Sequence, residues 1–285
     1  MKMKVSLTVL FLFASAATAI CQDVSTWFTN REVSPGVWQI NDHNAVNVYL
    51  VTGEDSSLVI DTGMGTADLI SQIRKLTTKP LIVVNTHGHP DHTGANYQFK
   101  KVYIHQADYK DAVENNEPER RGQAAKTMQR TEKPEEKDLF KGKPENTEYA
   151  FVKEGYNFKL GGRNLKVIEA PGHTPGEIVL LDIQNKLLFT GDNDNTLVWL
   201  FLPNCRPLHE YLKTLEKLQG MMTDFNTILP GHGIPRSSDF INDQVKCVKG
   251  ILDGTLKAEP YQSFAGNAMM STYGKASVAF DPKNL

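Results

Sequence analysis

The residues that invite chemistry are histidines and aspartates gathered in a few short, turn-rich stretches. His87-Gly88-His89-Pro90-Asp91-His92 places four side chains with metal-ligating atoms within six residues. His173 sits in Pro171-Gly172-His173-Thr174-Pro175-Gly176, His232 in Pro230-Gly231-His232-Gly233, and Asp192 in Thr190-Gly191-Asp192. Neutral imidazole nitrogens and carboxylate oxygens are the donors that zinc and iron take. Any one of these histidines alone would read as an ordinary surface or core residue. The joint pattern points to metal instead. Four donors so close in sequence cannot all reach one ion, so a tight turn would aim His87 and His89 at one metal and Asp91 and His92 at a second.

Such donors act together only if the chain delivers them to one place. Residues 33–40 carry a Pro35-Gly36 turn, and 46–51 with 58–60 read as a hairpin around Gly53-Glu54-Asp55. The second of these strands runs into the glycine-rich turn Asp61-Thr62-Gly63-Met64-Gly65. Leu69, Ile70, Ile73 and Leu76 fall on one face of a helix over 66–76, with Thr66 as its cap. Residues 81–84 form a continuous apolar run, as in a strand buried on both faces. Further strands are expected at 156–160, 165–168, 177–183, 186–190 and 227–229, and helices at 208–218 and 239–252. Each donor-bearing stretch therefore follows the C-terminal end of a strand, in a Gly/Pro turn that can point side chains outward. Strands in two groups, each followed by helices, favour a layered α/β sandwich.

The order His-x-His-x-Asp-His, then Gly-His-Thr-Pro-Gly, then Gly-Asp, then Gly-His resembles the metallo-β-lactamase-fold superfamily, and Asp61 in Ile60-Asp61-Thr62-Gly63 matches its first motif. The resemblance spans residues 33 to about 250. It implies an α/β fold of the four-layer αββα sandwich type. It also implies that His87, His89 and His173 hold a first metal, that Asp91, His92 and His232 hold a second, and that Asp192 bridges them. Asp61 would fix a ligand from behind by hydrogen bonding. Zinc, two ions per chain, is the expected cofactor, with iron or manganese in its place as the lesser expectation. His43, His105 and His209 match no motif and are assigned to surface or structure.

Composition narrows the surroundings. The chain has 285 residues, 40% of them hydrophobic, and a formal net charge of −2. That is enough for a buried core, too apolar for disorder, and without the basic field of a nucleic-acid binder. Lys2 and Lys4, the apolar run 5–13 and the Ala17-Thr18-Ala19 site read as a signal peptide over 1–19. The apolar run is too short for a membrane span. The expected mature domain is 20–285, periplasmic or secreted. Ile20 is a poor fit to lipid attachment at Cys21, which wants a small residue before it. Cys205 and Cys247 could pair in an oxidising compartment. A heavily charged stretch at about 108–148, broken by Pro118, Pro134 and Pro144, reads either as a lid or as a solvated excursion.

The expected function is hydrolysis of a small ester, thioester, lactone or amide by metal-activated hydroxide, with Asp91 orienting the attacking oxygen and accepting its proton. The partner is a small-molecule substrate. Asp192, where the resemblance places Cys or Ser in true metallo-β-lactamases, makes β-lactam hydrolysis a secondary reading rather than the main activity. The same residues also allow a mono-iron persulfide dioxygenase-like oxidoreductase, using His87, His173 and Asp192, or a non-catalytic binding protein on the same fold. Residues 197–202 (Leu-Val-Trp-Leu-Phe-Leu) are either the apolar wall of a pocket or a core segment.

Overall fold

Two stacked sheets frame the protein in the computed structural model, which describes residues 27–120 and 133–285. The signal peptide expected at 1–19, Cys21, and 121–132 of the charged stretch lie outside the described residues. The first sheet runs in chain order: β1 (Phe28–Ser34), β2 (Val37–Asp42), β3 (Val46–Thr52), β4 (Ser57–Ile60), β5 (Leu81–Val84), β6 (Lys101–His105) and β7 (Glu148–Val152). Its first half is a meander of antiparallel pairs; from β4 onward the pairs are parallel. The second sheet comprises β8 (Asn157–Lys159), β9 (Asn164–Glu169), β10 (Ile178–Asp182), β11 (Leu187–Gly191), β13 (Thr227–Pro230) and β14 (Arg236–Ser237), ordered β14-β13-β11-β10-β9-β8. Because β10 runs antiparallel to β9 and β11, and β11 parallel to β13, the C-terminal ends of β9, β11 and β13 share one edge.

Period-two alternation makes the layers. In β3, Tyr49 and Val51 enter a core with Leu180 and Phe189 of the facing sheet, while Val48 and Leu50 pack outward. The outward core of the first sheet is closed by α1 (Leu69–Arg74) through Leu69 and Ile73. On the second sheet, Val179, Leu181 and Leu188 pack against α4 (Leu208–Gly220) and α5 (Phe240–Leu252). Leu208, Tyr211, Leu215 and Leu218 are the buried face of α4, at the spacing one helical stripe requires. The result is the four-layer αββα sandwich. Short helices α2 (Pro90–Thr93) and α3 (Tyr109–Asn116) lie beside the histidine cluster.

The structure departs from expectation in several places. Asp68, not Thr66, caps α1, its carboxylate accepting from the Ser71 N–H at 3.0 Å, so the helix starts later. Strands β6 and β7 lie where no strand was expected, and the charged stretch is less of a surface excursion than its composition suggests, because Asp108 and Ala112 are buried. Beyond α5 the chain builds a third sheet from β15 (Glu259–Ser263), β16 (Gly266–Tyr273) and β17 (Ala276–Phe280), with β12 (Leu197–Leu200) parallel to β17. Strands β15 and β16 are half-exposed and lack a full apolar period, which hides this sheet from a pattern search. Cys205 and Cys247 are both free thiols and do not pair. Cys247 is buried and donates to the Ser271 carbonyl at 3.5 Å, whereas Cys205 lies beside Asn284.

Candidate metal centre

At the shared strand edge the seven predicted donors meet. His87, His89, Asp91 and His92 leave the first sheet after β5; His173, Asp192 and His232 leave the second after β9, β11 and β13. Backbone bonds tie the two edges together: Ile178 N–H donates to the Thr86 carbonyl at 2.9 Å, and Asn47 N–H to the Gly231 carbonyl at 2.8 Å. The donors form three overlapping groups: His87, His89 and His173; His87, His92 and Asp192; Asp91, His92 and His232. Within each group the ligating atoms lie within 4.8 Å of one another. Asp192 stands between them, 3.2 Å from His92 Nε2, 3.3 Å from His232 Nε2 and 3.5 Å from His173 Nε2.

Most of the imidazoles are held by the nitrogen facing away from the centre. His173 Nδ1 lies 2.7 Å from the Trp199 carbonyl and His232 Nδ1 2.6 Å from the Ala45 carbonyl. A carbonyl only accepts, so in both rings Nδ1 carries a proton and Nε2 is the atom turned toward the centre. His92 Nδ1 is 2.8 Å from Asp61 Oδ2, and His87 Nδ1 is 3.1 Å from Thr86 Oγ1. Asp61 is itself fixed by the Thr86 N–H at 2.7 Å and the Thr86 hydroxyl at 2.8 Å. The consequence is a set of buried atoms without a hydrogen-bond partner: His87 Nε2, His92 Nε2 and Asp192 Oδ1. Buried polar atoms are normally satisfied, and three such acceptors facing one another fit a cation. Gly231 leaves the space open: a methyl group there would sit 2.5 Å from Asp192 Oδ1 and 2.7 Å from His92 Cε1.

Electrostatics divides the cluster. Burial drives His87 well below the usual imidazole value, and the neighbouring His92 and His89 add to it. Burial, then His173, takes His89 down to about 3, and burial lowers His173 as well. Around the carboxylates the balance reverses. Burial opposes protonation of His92 and His232, but Asp192 and Asp91 prevail, holding His92 well above its usual value and His232 up to about 10. Asp192 is held well below the carboxylate range, against burial, by His232 and His92. This half of the cluster attracts positive charge, for which protons and metal ions compete.

Four supporting residues went unread in the sequence. Asp108 accepts from the Gly88 N–H at 3.1 Å, the Gly176 N–H at 2.7 Å and the Thr174 hydroxyl at 2.5 Å, tying the His87–His92 turn to the His173 loop. Glu177 Oε1 accepts from the Asp192 N–H at 2.7 Å and the Asn193 N–H at 3.2 Å, and burial followed by Asp192 pushes its carboxyl well above the usual range. Asn193 Oδ1 receives the His173 N–H and Asn195 Oδ1 the His232 N–H. The polar run Asp192-Asn193-Asp194-Asn195 was the available signal for the last two; Asp108 and Glu177 had none. The three remaining histidines lie elsewhere: His43 stacks on Trp27, His105 approaches Glu169, and His209 meets the Leu285 backbone.

The family model described as the metallo-beta-lactamase superfamily matches residues 41–232, which contain every one of these donors. The chain belongs to the metallo-β-lactamase superfamily. Among curated members, acyl-coenzyme A thioesterase MBLAC2 of Homo sapiens is 30% identical over 229 residues, covering 72% of this chain and 81% of that protein. Hydroxyacylglutathione hydrolase GloC of Haemophilus influenzae is 32% identical over 155 residues, covering 49% of this chain and 61% of that one. A solved metallo-β-lactamase from Pontibacter korlensis superposes with a TM-score of 0.56 at 19% identity, covering 78% of this chain and 99% of that chain, a likeness of fold. The chain is thus a metallo-hydrolase of the superfamily, and its donor cluster is one that could hold metal ions. Among the described residues no helix is long and apolar enough to cross a membrane.

Proposed function

We propose that this protein is an exported dinuclear zinc hydrolase whose substrate is an acyl thioester. The observation that carries the metal is the convergence of the unpartnered His87 Nε2, His92 Nε2 and Asp192 Oδ1 at one point. His87, His89 and His173 would hold one ion, Asp91, His92 and His232 the other, with Asp192 shared between them. Once bound, such a pair supplies a water activated near neutral pH and polarises the substrate carbonyl. Asp91 orients the attacking oxygen and takes its proton, its Oδ2 steadied at 3.2 Å by His232 Nε2. Attack is direct, without a covalent intermediate on the protein. Thioester as the scissile bond draws support from the acyl-coenzyme A thioesterase relative.

Metal analysis by elemental mass spectrometry, run beside a panel of acyl-coenzyme A thioesters, esters, lactones and β-lactams, tests the reading. Two zinc ions per chain with thioester turnover is the expected result. One iron with oxygen consumption on a persulfide would overturn it, and turnover confined to β-lactams would move the substrate. Export is part of the same proposal and rests on the Lys2–Ala19 pattern. A mature N-terminus near Ile20, read by mass spectrometry of periplasmic or secreted protein, is the outcome expected.

A further inference from the structure

The chain continues well past residue 232, where the match to the superfamily ends, and part of that continuation returns to the metal centre. A cavity of about 560 Å³ opens over the centre, lined at its floor by His89, Asp91, His173, Asp192 and His232. One wall comes from β12 and the tip of the β15–β16 hairpin: Leu197, Trp199, Leu202, Phe264 and Ala265. Alternation along β12 decides its role, because Val198 and Leu200 face the core while Leu197 and Trp199 face the cavity. The segment that was legible either as core or as pocket wall is both, one face each. Phe264 has no core to fill; it is 51% exposed, with its ring centroid 5.4 Å from that of Trp199. Trp199 also packs on Phe201 at 5.3 Å. Polar Asn115 and exposed Arg120 also line the cavity.

We infer that the β15–β16 hairpin sets acyl-chain selectivity: Phe264 and Ala265, with Trp199 and Leu197, form a subsite for the aliphatic chain of the thioester. The inference rests on the thioesterase reading above. An acyl thioester has one apolar end, and the cavity has one apolar wall. The Arg120 cation and the Asn115 amide that also line the cavity suit a polar, anionic leaving group. Register comes from β12 itself, since the Trp199 carbonyl that orients His173 belongs to the residue whose indole lines the wall. The chain and the scissile carbonyl are therefore positioned by one strand. The hairpin lies outside the donor turns, so its side chains can change without disturbing a ligand.

The test is kcat/KM across acetyl-, butanoyl-, hexanoyl-, octanoyl- and decanoyl-coenzyme A for the holoenzyme, Phe264→Ala and Ala265→Phe. Burial of each methylene against the wall raises kcat/KM about fourfold until the wall is covered. Phe264→Ala is expected to flatten that rise, losing about tenfold on octanoyl-coenzyme A while acetyl-coenzyme A stays within twofold. Ala265→Phe, which narrows the subsite, is expected to move the optimum to a shorter chain. An unchanged chain-length profile in both variants overturns the inference while leaving the thioesterase reading intact. So does an equal loss on every substrate, acetyl included, which would mark the hairpin as structural. No turnover by the zinc-loaded wild type on any thioester defeats the parent reading and the inference with it.

Discussion

Asp61 has more hydrogen-bond donors aimed at it than an amide could serve. Its two oxygens accept from the Thr86 N–H, the Thr86 hydroxyl and His92 Nδ1, so an asparagine would turn an NH2 group toward at least one donor. Its backbone also takes the left-handed conformation, φ 65°, which Asp tolerates better than most residues. Asp61→Asn should therefore lose the orientation of His92 and weaken metal binding by about 10–100-fold, read by competition with a chromogenic chelator. Affinity equal to wild type would mean that His92 is aimed by other contacts. Asp91→Asn asks a different question, because it faces the cavity and anchors no backbone. The melting temperature of its metal-free form should match that of metal-free wild type while turnover drops by about 10²–10⁴, the usual worth of a positioned proton acceptor; near-normal turnover would remove Asp91 from the proton transfer. The donors themselves were readable because each stands in a Gly/Pro turn after an apolar run. Asp108 and Glu177 were not, since a carboxylate that serves distant backbone N–H groups leaves no spacing in the sequence.

The donor turns are flexible in composition and rigid in place, and the elements supply the rigidity. Asp108 precedes α3 and binds the turns that carry His87–His92 and His173, although burial pushes its carboxyl up while three donors pull it down. Asp108→Ala would strand two buried N–H groups and a hydroxyl, costing about 1–3 kcal/mol of stability. The expected outcome is a lower melting temperature together with loss of metal, followed by thermal unfolding and elemental analysis of the same sample. Full metal content after that substitution would show that the two turns hold their places without it. Charge composition assigns residues 108–148 to one surface segment, but composition averages over a window and cannot single out one buried aspartate within it. The same limit applies to 197–202, where hydrophobicity alone does not say which face of a strand meets the cavity. Gly231 is the sharper case. The glycine before His232 is needed because any side chain would enter the space between Asp192 and His92. Gly231→Ala should cost metal binding more than it costs folding, and a variant with the wild-type metal content would refute that close fit.

At the scale of the molecule, the centre is a bridge between halves. Most of the two-sheet core and the outer helices were legible because their strands alternate or are apolar throughout and their helices carry one clear stripe; β6, β7 and the two-residue β14 were not. The third sheet was not, because its exposed strands lack that signal and its pairing of β12 with β17 joins segments far apart in sequence. Both sheets send donors to the cluster, four from the first and three from the second, so a bound ion connects them in the folded state only. An unfolded chain cannot present these atoms together, and binding to the native state alone stabilises by mass action: about 2.7 kcal/mol at a hundredfold excess over Kd. For a chain of this size that corresponds to a rise in melting temperature of about 5–10 °C. Stripping the purified protein with a chelator should lower the transition by that amount, and titrating zinc back should raise it in proportion to the logarithm of free zinc. Ala substitution of all three donors from the second sheet, His173, Asp192 and His232, should abolish most of that rise, because the remaining donors come from the first sheet alone. If zinc raises the melting temperature of that triple variant as much as that of wild type, the ion is held by the first sheet and the centre does not join the halves.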